Sequence, residues 1–361
     1  MEKVATVILN WNGEKMLQRF LPGVLTHTRG TVIVADNAST DSSLSYLQQQ
    51  YPNLPTILFN RNYGFADGYN RAFVQIKAEY YVLLNSDVEV NDDWLAPLLQ
   101  FMDSHPDAAA CQPKILSQRQ HDTFEYAGAA GGYIDAWGYP FCRGRIFSTI
   151  EKDKGQYNTP VPVFWATGAA MMVRSSAWHA VGGLDPRFFA HMEEIDFCWR
   201  LRARGFQIAC VPASAVYHVG GGTLPQDNPH KTYLNFRNNL FMLYKNLPPH
   251  DLRRVMRARY LLDYLAALQF LLKGQTRSCH AVFRARADFK KMRPQLHLAR
   301  LENIKKATQT CIPEQWNHSI LWTYYVKQLH KFSDLPQFNS FSYEPDSTKH
   351  YAEHYPIASK Q

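Results

Sequence analysis

Apolar and polar positions in the first part of the chain alternate between two periods. Residues 4–9, 32–35, 56–59 and 80–84 are short apolar, largely β-branched or aromatic runs with the length of strands. Between them, residues 14–25, 44–50 and 68–77 carry apolar side chains at helical spacing. Strands alternating with helices predict a parallel α/β sheet. Ligands of such sheets collect beyond the carboxyl ends of the strands. A site is therefore expected at 10–13 (NWNG), 36–41 (DNASTD), 60–64 (NRNYG) and 85–87 (NSD), all polar and short-chained.

Further along, the pattern loosens over 107–156 into a glycine- and aromatic-rich stretch, expected to form loops or a small added sheet. A second compact core is expected over 161–219, and 225–229, bounded by prolines, reads as a linker. Beyond residue 231 the sequence becomes basic and helix-forming, punctuated by Leu247-Pro248-Pro249, Gly274 and Pro294. From about Ser333 it is polar and aromatic without a period, which predicts a partly disordered tail. The expected division is thus 1–224 (halves 1–106 and 107–224), a helical extension over 230–332 and a tail over 333–361.

Composition narrows the class. Of 361 residues, 46% are hydrophobic and 19% charged, which excludes a disordered chain. The six cysteines form no C-x-x-C pair, so no zinc ribbon or dithiol redox site is written here, and reduced thiols in a cytoplasm are the simplest reading. The start, MEKVATVILNWNG, lacks the basic and longer apolar regions of a signal peptide, and a cytoplasmic location is expected. No run reaches the roughly 18–20 apolar residues of a membrane span. Net charge is +8, yet residues 231–310 hold 17 bases and 4 acids, leaving the remainder net acidic.

Four constellations could carry chemistry. Asn85-Ser86-Asp87 follows an apolar strand, where a carboxylate can hold a hard divalent cation that neutralises a diphosphate; the alternative is an ordinary turn. Glu193, Glu194 and Asp196 crowd three carboxylates against aromatics, which raises at least one pKa as a general base needs, although acids also favour the first turn of a helix. His218, before three glycines, is a metal ligand or a hydrogen-bonded structural residue. Gly64 and Gly68 stand at a helix start where backbone N–H groups can face an anion. Neither a G-x-G-x-x-G nor a P-loop motif occurs.

In order and spacing these pieces resemble the family 2 glycosyltransferases, and more closely their rhamnosyltransferase-like branch in bacterial polysaccharide assembly. The matching segments are VILNWNG (7–13), VADNASTD (34–41), NRNYGFADGYN (60–70), LLNSDVEV (83–90) and GGLDPRFFAHMEEIDFCWRLRARG (182–205). The resemblance implies the GT-A fold, a Rossmann-like mixed α/β sheet flanked by helices, here with a C-terminal helical extension. It implies transfer of a sugar from a nucleoside diphosphate to an acceptor hydroxyl with inversion, aided by a divalent metal, Mn²⁺ or Mg²⁺.

By the same resemblance Leu9, Trp11 and Asp36 line the base and ribose pocket, and Asn62, Gly64, Gly68 and Asn70 shape its floor. Asp87 matches the last aspartate of the family's D-x-D motif, and His218 a second metal ligand. Asn85 replaces the first aspartate and, with Ser86, is left to bond ribose or donor sugar. Glu194 is the expected base, Glu193 orients the acceptor, and Asp196 holds the helix start or a neighbouring arginine. Trp165, Thr167 and Gly168 are expected under the donor sugar and acceptor.

The basic region suggests either an interfacial segment for anionic lipid, built on the apolar run 261–272, or a helix with a solvated basic face. The first would suit a polyprenyl-linked saccharide acceptor. A nucleic-acid-binding protein leaves the carboxylates unexplained, and a nucleotidyltransferase lacks its glycine- and arginine-rich loop after the first strand. A catalytically silent sugar-binding module is the rival that Asn85 favours.

Overall fold

The computed structural model describes residues 2–220, 228–309 and 311–335. The first half runs β1 (Glu2–Asn10), α1 (Glu14–His27), β2 (Thr31–Asp36), α2 (Ser43–Gln50), β3 (Thr56–Leu58), α3 (Gly64–Val74) and β4 (Ala78–Asn85). It continues through β5 (Val88–Val90), α4 (Leu95–Ser104) and β6 (Ala108–Ser117). Five short strands follow: β7 (Gly132–Asp135), β8 (Pro140–Cys142), β9 (Arg145–Ile146), β10 (Thr149–Ile150) and β11 (Val161–Pro162). Then come β12 (Ala170–Arg174), α5 (Ser175–Val181), α6 (Glu193–Ala203), β13 (Gln207–His218), α7 (Pro229–Asn246), α8 (Pro249–Leu272) and α9 (Thr276–Lys306). Last are β14 (Gln315–Trp316) and α10 (Ile320–Tyr325).

One sheet has the order β11-β13-β6-β12-β4-β1-β2-β3, with β5 added against β13. The first four expected strands pair in parallel, whereas β12 enters antiparallel between β4 and β6, so the sheet is mixed. Its two faces follow the pleat. Ala5, Val7, Tyr81 and Leu83 face one core with α3, α5 and α6, while Val4, Ile8, Tyr80, Val82 and Leu84 face the other with α1 and α4. In α1 the buried Leu17, Phe20, Leu21 and Val24 recur at the helical spacing that makes one apolar stripe.

Three expectations change. Residues 107–156 contribute four strands of a small sheet (β10-β9-β8-β7), which β14 completes from residues 315–316, but also β6, a ten-residue buried strand of the main sheet. Its sequence, AAACQPKILS, is buried on both sides, so it has no alternation to read. Residues 161–219 form no separate core, because β12 and β13 are inserted into the main sheet. Pro294 does not punctuate: α9 runs through it for 31 residues.

Most of the expected linker lies outside the described residues; at its end Asn228 caps α7, its side chain accepting from the His230 N–H at 2.8 Å. The expected tail is described only to Leu335, which is buried with Phe332. Leu240, Phe241, Met242 and Leu243 of α7 belong to the same core as the sheet.

Candidate active site

Strand register brings the site together. Asn10 stands beside Asp36 and Leu9 beside Asn85 at the carboxyl edge of β1, β2 and β4. The antiparallel β12 begins at that edge, with the Asn85 N–H donating to the Ala169 carbonyl at 2.9 Å. β13 ends there too, pairing His218 with Val88.

Asp36 is buried and already engaged: it accepts from Asn10 Nδ2 at 2.9 Å, Ser39 Oγ at 2.6 Å and the Ser39 N–H at 2.8 Å. It therefore shapes the end of β2. Trp11 stands exposed at the rim. A methyl group at Gly68 would lie 2.9 Å from Leu9 Cδ1, so α3 packs closely on that side chain and a larger residue would push the Leu9 tip aside. Asn62 Oδ1 accepts from the Gly64 N–H and from Asn37 Nδ2, while Asn37 Oδ1 accepts from the Tyr63 N–H at 2.8 Å. Asn70 grips the backbone of Leu184, donating to its carbonyl at 2.7 Å and accepting from its N–H at 2.9 Å.

At the opposite corner His218 Nε2 lies 3.1 Å from Asp87 Oδ1 and 3.5 Å from Asn85 Nδ2. His218 Nδ1 is 3.3 Å from Glu125 Oε2, a partner with no motif to reveal it in sequence. Burial disfavours charge on His218, but Asp87 and Glu125 outweigh it and push its pKa up to about 10. No cluster of three metal-ligating residues occurs among the described residues. Asp87 and His218 Nε2 nonetheless present one oxygen and one nitrogen to the same corner, the nitrogen able to ligate once a cation displaces its proton, with Glu125 behind the imidazole as a histidine ligand's carboxylate partner stands. That donor set fits a cation that completes its shell from phosphate and water.

Glu193 and Glu194 open α6. The chain reaches them through Phe189, His191 and Met192, which have φ of 67°, 70° and 71°, a region that non-glycine residues enter at a cost of about 1–3 kcal/mol each. The loop is held from outside. Asn238 Nδ2, on α7, lies 2.8–2.9 Å from the carbonyls of Phe188, Ala190 and His191, and the Phe65 N–H donates to the Phe189 carbonyl at 2.7 Å. Sequence reasoning missed Asn238, since nothing in NFRNN distinguishes it from a helix-surface residue.

Oε2 of Glu193 and of Glu194 are both buried without a hydrogen-bond partner among the described residues. Burial raises the Glu194 carboxyl to about 7, partly opposed by backbone N–H groups of its own helix start. Glu193 is raised well above the usual range by burial and then by its neighbour's charge. Gly168 lies alongside: a methyl there would stand 3.9 Å from Glu194 Cβ and 2.8 Å from Phe65 Cζ.

Other candidates are placed elsewhere. Asp196 is fully buried and takes Arg200 Nε at 3.0 Å, Lys245 Nζ at 2.8 Å and Asn246 Nδ2 at 2.8 Å, so it locks α6 to α7. The neighbouring arginine expected for it is Arg200. The Trp165 indole is buried and donates to the Tyr133 carbonyl at 2.9 Å, and the Thr167 N–H donates to Gln112 Oε1 at 2.9 Å. Both are tied into the protein interior. A methyl on Gly13 would be 3.4 Å from Ser86 Oγ, which places Ser86 between the first and fourth strand ends.

Residues 6–178 match the family described as Glycosyl transferase family 2. An N-acetylglucosaminyl-diphospho-decaprenol L-rhamnosyltransferase of Mycobacterium tuberculosis is 29% identical over 222 residues, spanning 56% of this chain and 71% of that protein. The rhamnosyltransferase WbbL of Escherichia coli is 28% identical over 196 residues, spanning 52% of this chain and 72% of that protein.

Among solved structures, Staphylococcus aureus TarS 1–349 with UDP superposes with a TM-score of 0.53 over 84% of this chain and 88% of that one, at 17% identity. GalNAc-T7 with UDP, GalNAc and Mn²⁺ gives 0.54 over 68% of this chain and 48% of that one, at 15% identity. These two show the fold, a mixed GT-A sheet with added C-terminal helices. Residues 6–178 thus form a glycosyltransferase family 2 region, with rhamnosyltransferases among the distant relatives of the chain.

Proposed function

We propose that this glycosyltransferase moves a sugar, with inversion, from a nucleoside diphosphate to a saccharide or polyprenyl-linked saccharide in cell-surface polysaccharide assembly. The observation that carries the reading is Glu194. Its carboxyl is raised to about 7, its Oε2 has no partner among the described residues, and it sits at a helix start beside Gly168. A base with a pKa near the working pH is suited to remove a proton from an acceptor hydroxyl.

The step is one displacement. Glu194 takes the proton, the acceptor oxygen attacks the anomeric carbon, and the bond to the diphosphate oxygen breaks with its electron pair leaving on the diphosphate. Glu193, whose carboxyl burial pushes well above its ordinary range, would orient the acceptor. Asp87 and His218 would hold the divalent ion, which when bound supplies positive charge for the diphosphate. Asn85 and Ser86 lie beside that corner. The decaprenol in the name of the Mycobacterium tuberculosis relative, and the UDP and Mn²⁺ held by the structural neighbours, support this choice of donor, metal and acceptor class.

The test has two parts. Thermal unfolding with UDP, dTDP or GDP, with and without Mn²⁺, should show a metal-dependent rise for at least one nucleotide, since a ligand bound only by the folded state stabilises it. Glu194→Gln should keep that rise and lose turnover by about 10²–10⁴-fold. Full activity in Glu194→Gln would overturn the assignment, and no rise with any nucleotide would favour a silent module.

A further inference from the structure

Helix α8 does not keep its apolar residues to the inside, as a helix in water does. Its inward face carries Val255, Arg259, Asp263 and Ala267, all buried. Arg259 Nη2 lies 2.9 Å from Asp263 Oδ1, and Arg286 of α9 donates to Asp263 Oδ2 at 2.5 Å, so an ion pair fills the place of a hydrophobic seam.

The outward face carries leucine. Leu261, Leu265, Leu268 and Leu272 are 62%, 52%, 50% and 79% exposed. Their spacing, four, three and four residues apart, places them on one stripe over three turns. Arg254 and Arg257 continue the same stripe toward the amino end of α8, both exposed, Arg254 paired with Asp251 at 2.7 Å. At the other end Gly274, with φ of 71°, turns the chain into α9, and Lys273 and Arg277 stand exposed beside Leu271 and Leu272.

We propose that this face of α8, with the tip of the α8–α9 hairpin, docks on the surface of an anionic lipid bilayer. The argument is charge complementarity joined to the apolar stripe. Residues 249–306 hold 14 Lys or Arg against 4 Asp or Glu, and of those acids Asp263 is enclosed by arginines. Exposed leucines bordered by bases are what the boundary between headgroups and acyl chains accommodates. No helix among the described residues is long and apolar enough to cross a membrane, so α8 would lie along the surface. A second copy of the chain is the poorer occupant, because two such faces would bring like charges together. The inference is independent of the donor and of the chemistry at Glu194.

The experiment is co-flotation of the full chain with vesicles of phosphatidylcholine, with and without phosphatidylglycerol. Binding is expected only with phosphatidylglycerol, and it should weaken as salt is raised. The double variant Leu265→Gln/Leu268→Gln should lower the bound fraction about tenfold or more. Its thermal unfolding and nucleotide binding should match wild type, because both leucines already face out. Equal binding to uncharged vesicles, no binding to either, or an unaffected double variant would overturn the proposal. So would light scattering that shows a wild-type dimer converted to monomer by the double variant, which would give the face to a second copy.

Discussion

Glu193 and Glu194 show at the residue scale how a site and the stability of its protein oppose each other. The Glu194 carboxyl titrates near 7 in the folded chain and near 4.5 when unfolded. Below 4.5 both states hold the proton and the difference is nil. Between the two values the folded state retains a proton that the unfolded chain has released, so stability falls as pH rises, and above about 7 the full penalty is present. That penalty is on the order of 3 kcal/mol. Glu194→Gln should therefore unfold at a higher temperature than wild type at pH 8, with the gain disappearing near pH 4; calorimetry at the two pH values checks it. Activity runs the other way. As the base must be ionised, kcat/KM should rise with pH through about 7 and then level off, and Glu194→Gln should abolish that limb of the profile.

Between elements the decisive contact is Asn238. Three left-handed residues before α6 are not a conformation the loop would choose alone, and the Asn238 side chain of α7 gathers three of its carbonyls. Asn238→Ala leaves those buried carbonyls short of a donor, a loss of about 1–3 kcal/mol. It should also let the Glu194 carboxyl wander: kcat falls by tenfold or more, while nucleotide affinity, set at the β1, β2 and β4 ends, changes little. Titration of nucleotide binding beside steady-state rates separates this from general unfolding, which would reduce both.

This division explains what was legible in the sequence. Strands β1, β2 and β4 and the polar turns after them could be read because short runs rich in β-branched and aromatic residues, bounded by turn residues, are local signals. The helix α3 begins at Gly64, earlier than its apolar spacing suggests, because its first turn is stabilised by the Phe189 carbonyl from far along the chain. β6, buried on both faces, lost its period, and Glu125 and Asn238 act only through folding. Asp196 holds Arg200, a partner four residues along its own helix and so within reach of the sequence, whereas Lys245 and Asn246 reach it only through folding.

For the whole molecule, the question is whether the C-terminal helices are an attachment or part of the catalytic fold. Composition marks them as separate, since their charge differs so sharply from what precedes. Burial marks them as joined. Leu240, Phe241, Met242 and Leu243 lie in one core with Phe188, Phe197 and Trp199, and the buried Lys245 bridges Asp185 at 2.6 Å and Asp196 at 2.8 Å. Each buried apolar side chain contributes about 1.5–3 kcal/mol, and removing one partner of a buried ion pair costs about 3–5 kcal/mol. Together these reach the entire stability of an ordinary domain, about 5–15 kcal/mol. A chain ended at residue 220 should therefore lack a cooperative thermal transition and bind no nucleotide, although every residue assigned to the chemistry is still present. A truncated chain that unfolds cooperatively near the wild-type temperature would show instead that the helices are an attachment, and Asn238 would then lose its claim to hold the catalytic loop.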